Sequence, residues 1–236
     1  MSKLGPDLVL DFDRIRRLTI VEGALVNETP LRVGVGREAP LGSPVELAVI
    51  TMKVNGRRRP YIPGSSLKGV FRSFIEQLAR SSYPQLHDPW QFNDVENEEK
   101  DGFCVVCAIF GNKQVASHVR IYDAMPQSEP SISIRTGVGI NREFQAVEPE
   151  VYYTEEFVNP GSKWKFRMDI LNIEFPGEGD ERSRYLRELF TTLKTVGLQV
   201  GARRSVGMGL IKLVDAKYKT YSIVDGALKL IDDGEL

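Results

Sequence analysis

The clearest candidate for chemistry is the run IPGSSLKG at residues 62–69. Proline and glycine interrupt the chain there, and Ser65 or Ser66 is in position to cap a following helix. The free amides of a helix's first turn bind anions, and the helix dipole strengthens the attraction. Lys68 in that turn opposes the dipole unless a phosphate lies beside it. The run therefore predicts a phosphate-binding helix start, or else a capped helix whose Lys68 extends into solvent.

A second candidate lies late in the chain, at residues 203–209 (RRSVGMG). Arginine forks bind phosphate oxygens, and glycines leave backbone amides accessible to an anion. The alternative is that Arg203 and Arg204 only complement the negative end of a preceding helix. The segment therefore predicts either a phosphate contact or a helix-terminal charge contact.

The chain has two cysteines, Cys104 and Cys107, with the spacing of half a zinc site. His87, His118 or an acid would have to complete the four ligands. The residues around the cysteines are apolar, which favours buried and inert thiols instead. A structural zinc ion and a buried thiol pair are therefore both open at this point.

Nucleophilic catalysis finds little support in the residues. The chain has two histidines, and no serine lies in a nucleophile elbow. Asp11 and Asp13 form a D-x-D pair near the chain start, which we interpret as solvated carboxylates rather than a metal site.

The 236 residues, 42% hydrophobic and 27% charged, are typical of a globular domain. No apolar run approaches the ~18–20 residues that cross a bilayer, and the first ten residues do not resemble a secretory signal. Two cysteines form no disulfide framework, so we expect a reducing cytoplasm. The net charge is −1, but arginines cluster at residues 14–17, 57–59 and 203–204, and acids at 94–101 and 232–235. Such separation suits an anion on one face and a protein neighbour on another.

Hydrophobic spacing predicts two helices and four core strands. One helix follows residue 65, with apolar residues every three or four positions, and the other spans residues 182–200. Strands are predicted at residues 16–26, 119–124, 163–173 and 210–214. The resulting order, βαββαβ, is that of the RRM-like or ferredoxin-like α+β fold.

We interpret residues 1–236 as one domain whose core is enlarged by insertions at about 27–62, 82–118 and 125–160. The first insertion holds a short strand near residues 45–54 and a turn at Asn55-Gly56. The third contains extended segments within residues 131–157 that lack core periodicity, which predicts a projecting β-hairpin.

Four motifs occur in one order along the chain. They are IPGSSLKG at residues 62–69, C-x-x-C-x-I-F-G at 104–111, VRIYDA at 119–124 and RRSVGMG at 203–209. Together they resemble the RAMP superfamily of CRISPR proteins, and most closely the backbone subunit of type III effector complexes. The resemblance runs from about residue 16 to residue 214, nearly the whole chain.

The resemblance implies a subunit that stacks with copies of itself and other RAMP subunits along a guide CRISPR RNA and presents it to target RNA. Such complexes serve antiviral defence. Some relatives also bind zinc near the position of the paired cysteines. The helix start and the glycine-rich loop would contact guide backbone, which implies RNA-binding roles for Ser65, Ser66, Lys68, Arg72, Arg203, Arg204, Ser205, Gly207 and Gly209.

A β-hairpin called the thumb interrupts the guide–target duplex in this family, and residues 136–144 resemble the stretch that bears it. Arg135 and Arg142 would then meet phosphates, and Val138, Ile140 or Phe144 would wedge or stack against bases. The alternative is an ordinary surface hairpin.

Cleaving relatives carry an aspartate as Asp-x-Pro before the helix, and Gly42 stands at that place here. Glycine cannot ligate a metal or take up a proton, so the resemblance leans away from catalysis. Glu38 and Glu46 are nearby acids, and a cleaving subunit would need Mg²⁺ or Mn²⁺. Three alternatives stay open: metal-dependent cleavage of target RNA, stand-alone processing of guide precursors, and a protein-interaction module that binds no RNA.

Overall fold

The computed structural model describes residues 3–34, 45–84, 86–88, 90–91, 97–98, 100 and 102–236, apart from the side chains of residues 149 and 150. The described helices are α1 (Pro6–Val9), α2 (Gly64–Ser82), α3 (Val105–Phe110) and α4 (Glu181–Thr195). The described strands are β1 (Arg17–Asn27), β2 (Thr51–Val54), β3 (Arg57–Pro60), β4 (Val119–Ile121), β5 (Ile132–Asn141), β6 (Ala146–Val158), β7 (Lys163–Leu171), β8 (Leu198–Gln199), β9 (Leu210–Val224) and β10 (Ala227–Glu235).

An antiparallel sheet in the order β10-β9-β1-β7-β4 forms the centre of the fold, and β8 pairs with β9. Strands β1, β4, β7 and β9 alternate with helices α2 and α4 in the predicted order βαββαβ. Strands β4 and β7 lie side by side, and β1 lies between β7 and β9, which is the split arrangement of the ferredoxin-like fold. The predicted α+β core is confirmed.

Both long helices pack on the same face of this sheet through apolar positions with helical spacing. Helix α2 buries Leu67, Phe71, Ile75 and Ala79, and α4 buries Leu186, Leu189, Phe190 and Leu193. Phe166 of β7 meets Phe71 and Phe190 edge-on, with ring centroids 6.2 and 6.4 Å apart. One aromatic side chain thus joins both helices to the sheet, and truncating such a residue costs about 3–5 kcal/mol. Among the described segments, no helix is long and apolar enough to cross a membrane.

The last part of the sheet is longer than the sequence predicts. Strand β9 extends to Val224 and turns at Asp225-Gly226, where φ is 54° and 76°, into β10. Nearly all side chains of β10 are exposed, so the alternation that marks a half-buried strand is missing. The Asp-Gly pair was the available signal for this hairpin.

The first insertion contains a shorter strand than predicted. Within residues 45–54, the strand is confined to Thr51–Val54, which pairs with Arg57–Pro60. The predicted turn at Asn55-Gly56 joins the two, with φ of 49° and 81°. Two positive φ values define the type I′ turn that suits a two-residue hairpin loop.

Strands β5 and β6 form the projecting hairpin that the sequence predicts in the third insertion. Bridges from Leu31 to Val158 and from Leu47 to Glu155 attach its base to the first insertion. Its outer half exposes large apolar side chains, namely Val138, Ile140, Phe144, Val147, Val151 and Tyr152. The hairpin therefore has an anchored base and a solvated outer part.

Candidate functional site

The helix start and the glycine-rich loop predicted to bind RNA lie at one end of the central sheet. Strand β1 ends where β7 begins, since Val26 pairs with Lys163. Strand β4 runs antiparallel to β7, so its C-terminal end, where Ala124 pairs with Ile62 just before α2, is at that same end. The loop at residues 200–209 leads directly into β9, which begins there as well. The fold thus gathers elements far apart in sequence.

Helix α2 begins without a side-chain cap. Its N-cap is Pro63, so the expectation that Ser65 or Ser66 caps the helix is wrong, and both serines lie in the first turn. Ser65 is exposed, Ser66 is half-buried, and neither hydroxyl has a hydrogen-bond partner within the described part of the chain. These hydroxyls and the first-turn amides are the groups that an anion can use.

The VRIYDA motif supports this helix start. The amide of Gly64 donates a hydrogen bond of 2.8 Å to Oδ1 of Asp123. A Cβ atom at Gly64 would collide with the carbonyl oxygen of Ile121, so only glycine lets the helix approach β4 this closely. The two motifs are therefore in direct contact in the fold. Asp123 is a positioning residue that sequence reasoning did not single out.

Lys68 and Arg72 follow on the same helix but have different surroundings. Lys68 is half-buried, and burial together with the charge of Arg72 lowers its pKa. No acid of the described chain pairs with Lys68, so an anion would stabilise its charge. Arg72 donates hydrogen bonds of 2.8 Å to Glu76 and 2.8 Å to the carbonyl of Gly111, which joins α2 to the end of α3.

Some residues of the glycine-rich loop that are predicted to bind RNA are exposed. Others stabilise the loop itself. Arg204 and Ser205 are exposed on one turn of 3₁₀ helix, which ends at Gly207 with φ 83°. A side chain at Gly207 would meet open space, whereas one at Gly209 would collide with the carbonyl of Val200. The amide of Val200 also donates to Gly209 at 2.9 Å, so Gly209 closes the base of the loop.

Glu155 of β6 is a fully buried carboxylate at the base of the projecting hairpin. Its Oε1 accepts a hydrogen bond from Arg135 at 2.6 Å, and its Oε2 accepts one from Arg203 at 3.3 Å. Arg32 is also buried beside this group, and desolvation lowers its pKa while the charge of Glu155 raises it. Arg135 and Arg203, both predicted to contact RNA, thus bind a buried acid. The sequence did not indicate this acid, because its partners are 20 and 48 residues away.

Aromatic rings complete the surroundings of both arginines. The guanidinium of Arg203 lies 4.6 Å from the ring centre of Tyr153, and that of Arg135 lies 5.7 Å from Phe157. Their side chains keep 35% and 50% of their solvent exposure. Each guanidinium is therefore fixed in place and still accessible on one edge.

The tip of the hairpin carries the remaining predicted contacts. Arg142 and Phe144 are exposed, and the Phe144 residue retains 77% of its accessible surface. Asn141 shapes the turn by accepting hydrogen bonds from the amides of Glu143 and Phe144. An exposed aromatic among further exposed apolar residues indicates a contact surface.

A separate cluster brings together His87, Glu98, Cys104 and Cys107, with one ligand atom of each within 4.8 Å of the others. His87 Nε2 lies 2.8 Å from Glu98 Oε1 and 3.7 Å from Cys107 Sγ. These contacts raise the pKa of His87 to about 10. The amide of Cys104 donates to Glu98, and the carbonyl of Asp88 lies 3.1 Å from His87 Nδ1, so both side chains are oriented.

The donor set fits a tetrahedral zinc ion, whose usual ligands are sulfur, imidazole nitrogen and carboxylate oxygen. The other oxygen of Glu98 accepts a hydrogen bond of 2.8 Å from Asn112, which orients the carboxylate further. The sequence left the ligands beyond the two cysteines open among His87, His118 and an acid, and the structure brings His87 and Glu98 beside the cysteines. Cys104 Sγ also accepts a hydrogen bond of 3.4 Å from the amide of Cys107. A pair of inert thiols would make the same contact.

His118, the other histidine predicted as a metal ligand, lies outside this cluster. It is fully buried, and its ring nitrogens lie 2.9 Å from the carbonyl of Leu171 and 3.0 Å from that of Val9. Burial lowers its pKa. Its contacts join α1 to β7, which is a structural role.

The fold defines an α+β protein with a ferredoxin-like core. The model of the RAMP superfamily matches residues 25–212, a range that includes all four motifs. The chain therefore belongs to the RAMP superfamily of CRISPR-associated proteins, and an RNA-binding role follows from that membership. No curated protein matches the chain significantly.

Proposed function

We propose that this chain is a guide-RNA-binding backbone subunit of a type III CRISPR interference complex. The observation that carries the proposal is that the uncapped start of α2, with Ser65 and Lys68, lies at the same end of the sheet as Arg204 and Gly207. Amides, hydroxyls and unpaired cations suit the phosphodiester backbone, which offers acceptor oxygens and negative charge. Copies of the chain and other RAMP subunits extend this surface along the guide and present it to target RNA.

The predicted RNA contacts fall into two groups in this proposal. The first group consists of accessible residues that bind backbone directly: Ser65, Ser66, Lys68, Arg204, Ser205 and Gly207. The second group consists of residues already held by intramolecular contacts, which position the first: Arg72, Arg135, Arg203 and Gly209. Backbone contacts carry no base information, so the binding is independent of guide sequence.

The β5–β6 hairpin serves as the thumb in this account. Its anchored base keeps it near the RNA-binding end, and Phe144 at its solvated tip offers a ring for stacking against a base. Arg142 beside it supplies a cation for phosphate. The exposed apolar residues of the outer half are then covered by nucleic acid or by a neighbouring subunit.

Cleavage of target RNA is the second candidate function. Gly42, which stands at the family's aspartate position, lies outside the described residues, as does Glu38. Glu46 is described, exposed, and fixed near the hairpin because its amide donates to the hydroxyl of Thr154 at 3.2 Å. A cleaving site would need Mg²⁺ or Mn²⁺ and this shifted acid, and ~1 Å of misplacement can cost about 10²-fold. We therefore favour the non-catalytic role.

Stand-alone processing of guide precursors is a weaker candidate. The chain has two histidines, and each is engaged by other groups. His118 is buried between backbone carbonyls, and His87 contacts Glu98 and Cys107. Neither is free to take a proton from a ribose hydroxyl, which is the step such an activity requires.

We also propose that His87, Glu98, Cys104 and Cys107 hold a structural zinc ion. The support is the convergence of four suitable donors, three of them buried and the fourth half-buried. The ion would join the first part of the second insertion to α3, which lies later in that insertion and packs against α2 and α4. Its role is to hold the fold, since four protein ligands leave no open position for a substrate.

The proposal is tested by isolating the chain with its native partners. We expect intact-complex mass spectrometry to find several copies of the chain, and sequencing to find bound RNA of uniform length with a common repeat-derived end. Complex purified after nuclease treatment serves as the control. A chain that purifies without RNA, or with RNA of random length and origin, contradicts the proposed function.

A further inference from the structure

The β2–β3 hairpin carries an unusual concentration of positive charge. Lys53, Arg57, Arg58 and Arg59 all lie on it. The strand register places Lys53 directly opposite Arg58. Directly opposed side chains lie on the same face with Cβ atoms about 4.5–5.5 Å apart, and like charges in that arrangement destabilise the pair. The hairpin therefore contains an electrostatic conflict.

The conflict is not relieved within the described residues. Arg59 has a carboxylate partner, because its Nη2 lies 3.2 Å from Glu129. Lys53, Arg57 and Arg58 are exposed, and none of the acids in the described part of the chain forms an ion pair with them. A bound anion would neutralise them.

A short link connects the hairpin to the proposed RNA-binding end. Residues 61–63 alone separate β3 from the start of α2. Within this link, Ile62 exchanges two backbone hydrogen bonds with Ala124, of 3.0 and 2.8 Å. Pro60 at the end of β3 is buried. The basic hairpin is therefore attached directly to the end of the sheet at which Ser65 and Lys68 lie.

We propose that Lys53, Arg57 and Arg58 form a second phosphate-binding element, which binds the RNA backbone next to the start of α2. This inference rests on the proposed function. A phosphodiester bound at the Lys53–Arg58 pair removes their repulsion, and the guanidinium fork can bind two of its oxygens. The element extends the bound stretch of RNA beyond the helix start and the glycine-rich loop.

A nucleic-acid partner fits this surface better than a protein partner does. Protein interfaces have an apolar centre from which charged residues are depleted. On this hairpin, Met52 is the one exposed large apolar residue, and it retains 36% of its accessible surface. The surface thus offers charge without an apolar centre, which suits a phosphate backbone.

The test compares two pairs of neutralised cations in the full chain, freed of nucleic acid. The variant Lys53→Gln/Arg58→Gln removes the opposed pair. The control Lys217→Gln/Lys219→Gln removes the same charge from exposed positions on β9. Binding of a fluorescently labelled single-stranded RNA is measured across a salt series, and melting temperature and subunit association are recorded for each protein.

We expect the hairpin variant to bind RNA on the order of tenfold more weakly at low salt. The slope of log affinity against log salt should fall by about 1.4, since each phosphate contact to a single strand contributes about 0.7. Its melting temperature should stay level or rise, because a repulsion is removed.

Two outcomes overturn the inference alone. One is a salt slope equal to that of the wild type and the control, with normal association of subunits. The other is an unchanged slope with impaired association of subunits, which would assign the hairpin to a protein partner. Failure of the wild type itself to bind RNA would overturn the proposed function as well, so the two failures are distinguishable.

Discussion

The carboxylate of Glu155 lies 2.6 Å from the guanidinium of Arg135, directly across the two strands of the projecting hairpin. The same carboxylate accepts a hydrogen bond from Arg203 of the glycine-rich loop. One buried negative charge thus ties the base of the hairpin to the loop. The orientation of both elements depends on this charge as well as on apolar packing.

Glu155→Gln should destabilise the protein and weaken RNA binding together. Among the described residues, Glu155 is the acid whose charge acts on the buried Arg32, and the substitution removes that charge. We expect a loss of about 2–3 kcal/mol in the free energy of unfolding, below the range for a fully buried pair because Arg135 and Arg203 retain solvent contact. Urea denaturation measures this loss.

The matched control for this variant is Glu143→Gln, which removes one negative charge from the exposed tip of the same hairpin. It should change stability by no more than about 0.5 kcal/mol. If Glu155→Gln and Glu143→Gln unfold at the same urea concentration, the buried charge does not fix the hairpin as described.

Shortening the outer hairpin should leave the fold intact and impair assembly on RNA. Replacing residues 139–151 by a Gly/Ser turn keeps the Gly137–Tyr153 pair and the anchored base. Most of the removed side chains that the structure describes are exposed, so the melting temperature should change by less than about 2 °C. Thermal melting and gel-shift assembly with guide and target RNA check the two effects. A collapse in stability would show that the outer hairpin belongs to the core.

Zinc content distinguishes the proposed metal site from a pair of buried thiols. The chain purified without chelator should hold about one zinc ion, and Cys107→Ser, His87→Gln and Glu98→Gln should each lower that content. Acidification should release the metal, because histidine and cysteine ligands must lose protons to bind it. Elemental analysis by mass spectrometry measures the content.

His118→Gln is the control that tests the choice of ligands. His118 lies outside the cluster, so this variant should retain zinc even where burial of glutamine lowers stability. Loss of zinc from His118→Gln with retention by Glu98→Gln would reverse the assignment. Absence of metal from the wild type would favour inert thiols.

Target cleavage should be absent from the wild-type complex. Gly42 supplies no acid, so complex assembled on guide RNA should leave complementary target uncut in Mg²⁺ or Mn²⁺. We expect Gly42→Asp to produce regularly spaced cuts, which would show that the scaffold holds RNA in the family's register. Denaturing gels of labelled target resolve the products. Regular cuts by the wild type that vanish in Glu46→Ala would instead make Glu46 the catalytic acid.

The core of the fold could be predicted from sequence because its signals are local. The apolar positions Leu67, Phe71 and Ile75 recur at helical spacing, and Lys163–Leu171 alternates between exposed and buried residues over most of its length. Strand β10 could not be found in the same way, because exposed side chains on both faces leave no such alternation.

The site was only partly predictable, since its decisive contacts join distant segments. The spacing of Cys104 and Cys107 indicated half a metal site, but Glu98 becomes a candidate ligand only through tertiary structure. Arg135 and Arg203 have the right chemistry for phosphate, and nothing in their local sequence indicates that Glu155 holds them. Sequence gives the type of a side chain, whereas its availability depends on what packs against it.

The most direct test of the central claim is the salt dependence of guide RNA binding by wild type and by Lys68→Ala/Arg204→Ala. We expect wild-type affinity to fall steeply with salt and to be similar for guides of different sequence, because backbone contacts release counterions and read no bases. The double variant should melt near the wild-type temperature, bind more weakly, and lose about 1.4 from the slope of log affinity against log salt. Affinity and slope equal to those of the wild type would contradict the claim that this end of the sheet binds the guide.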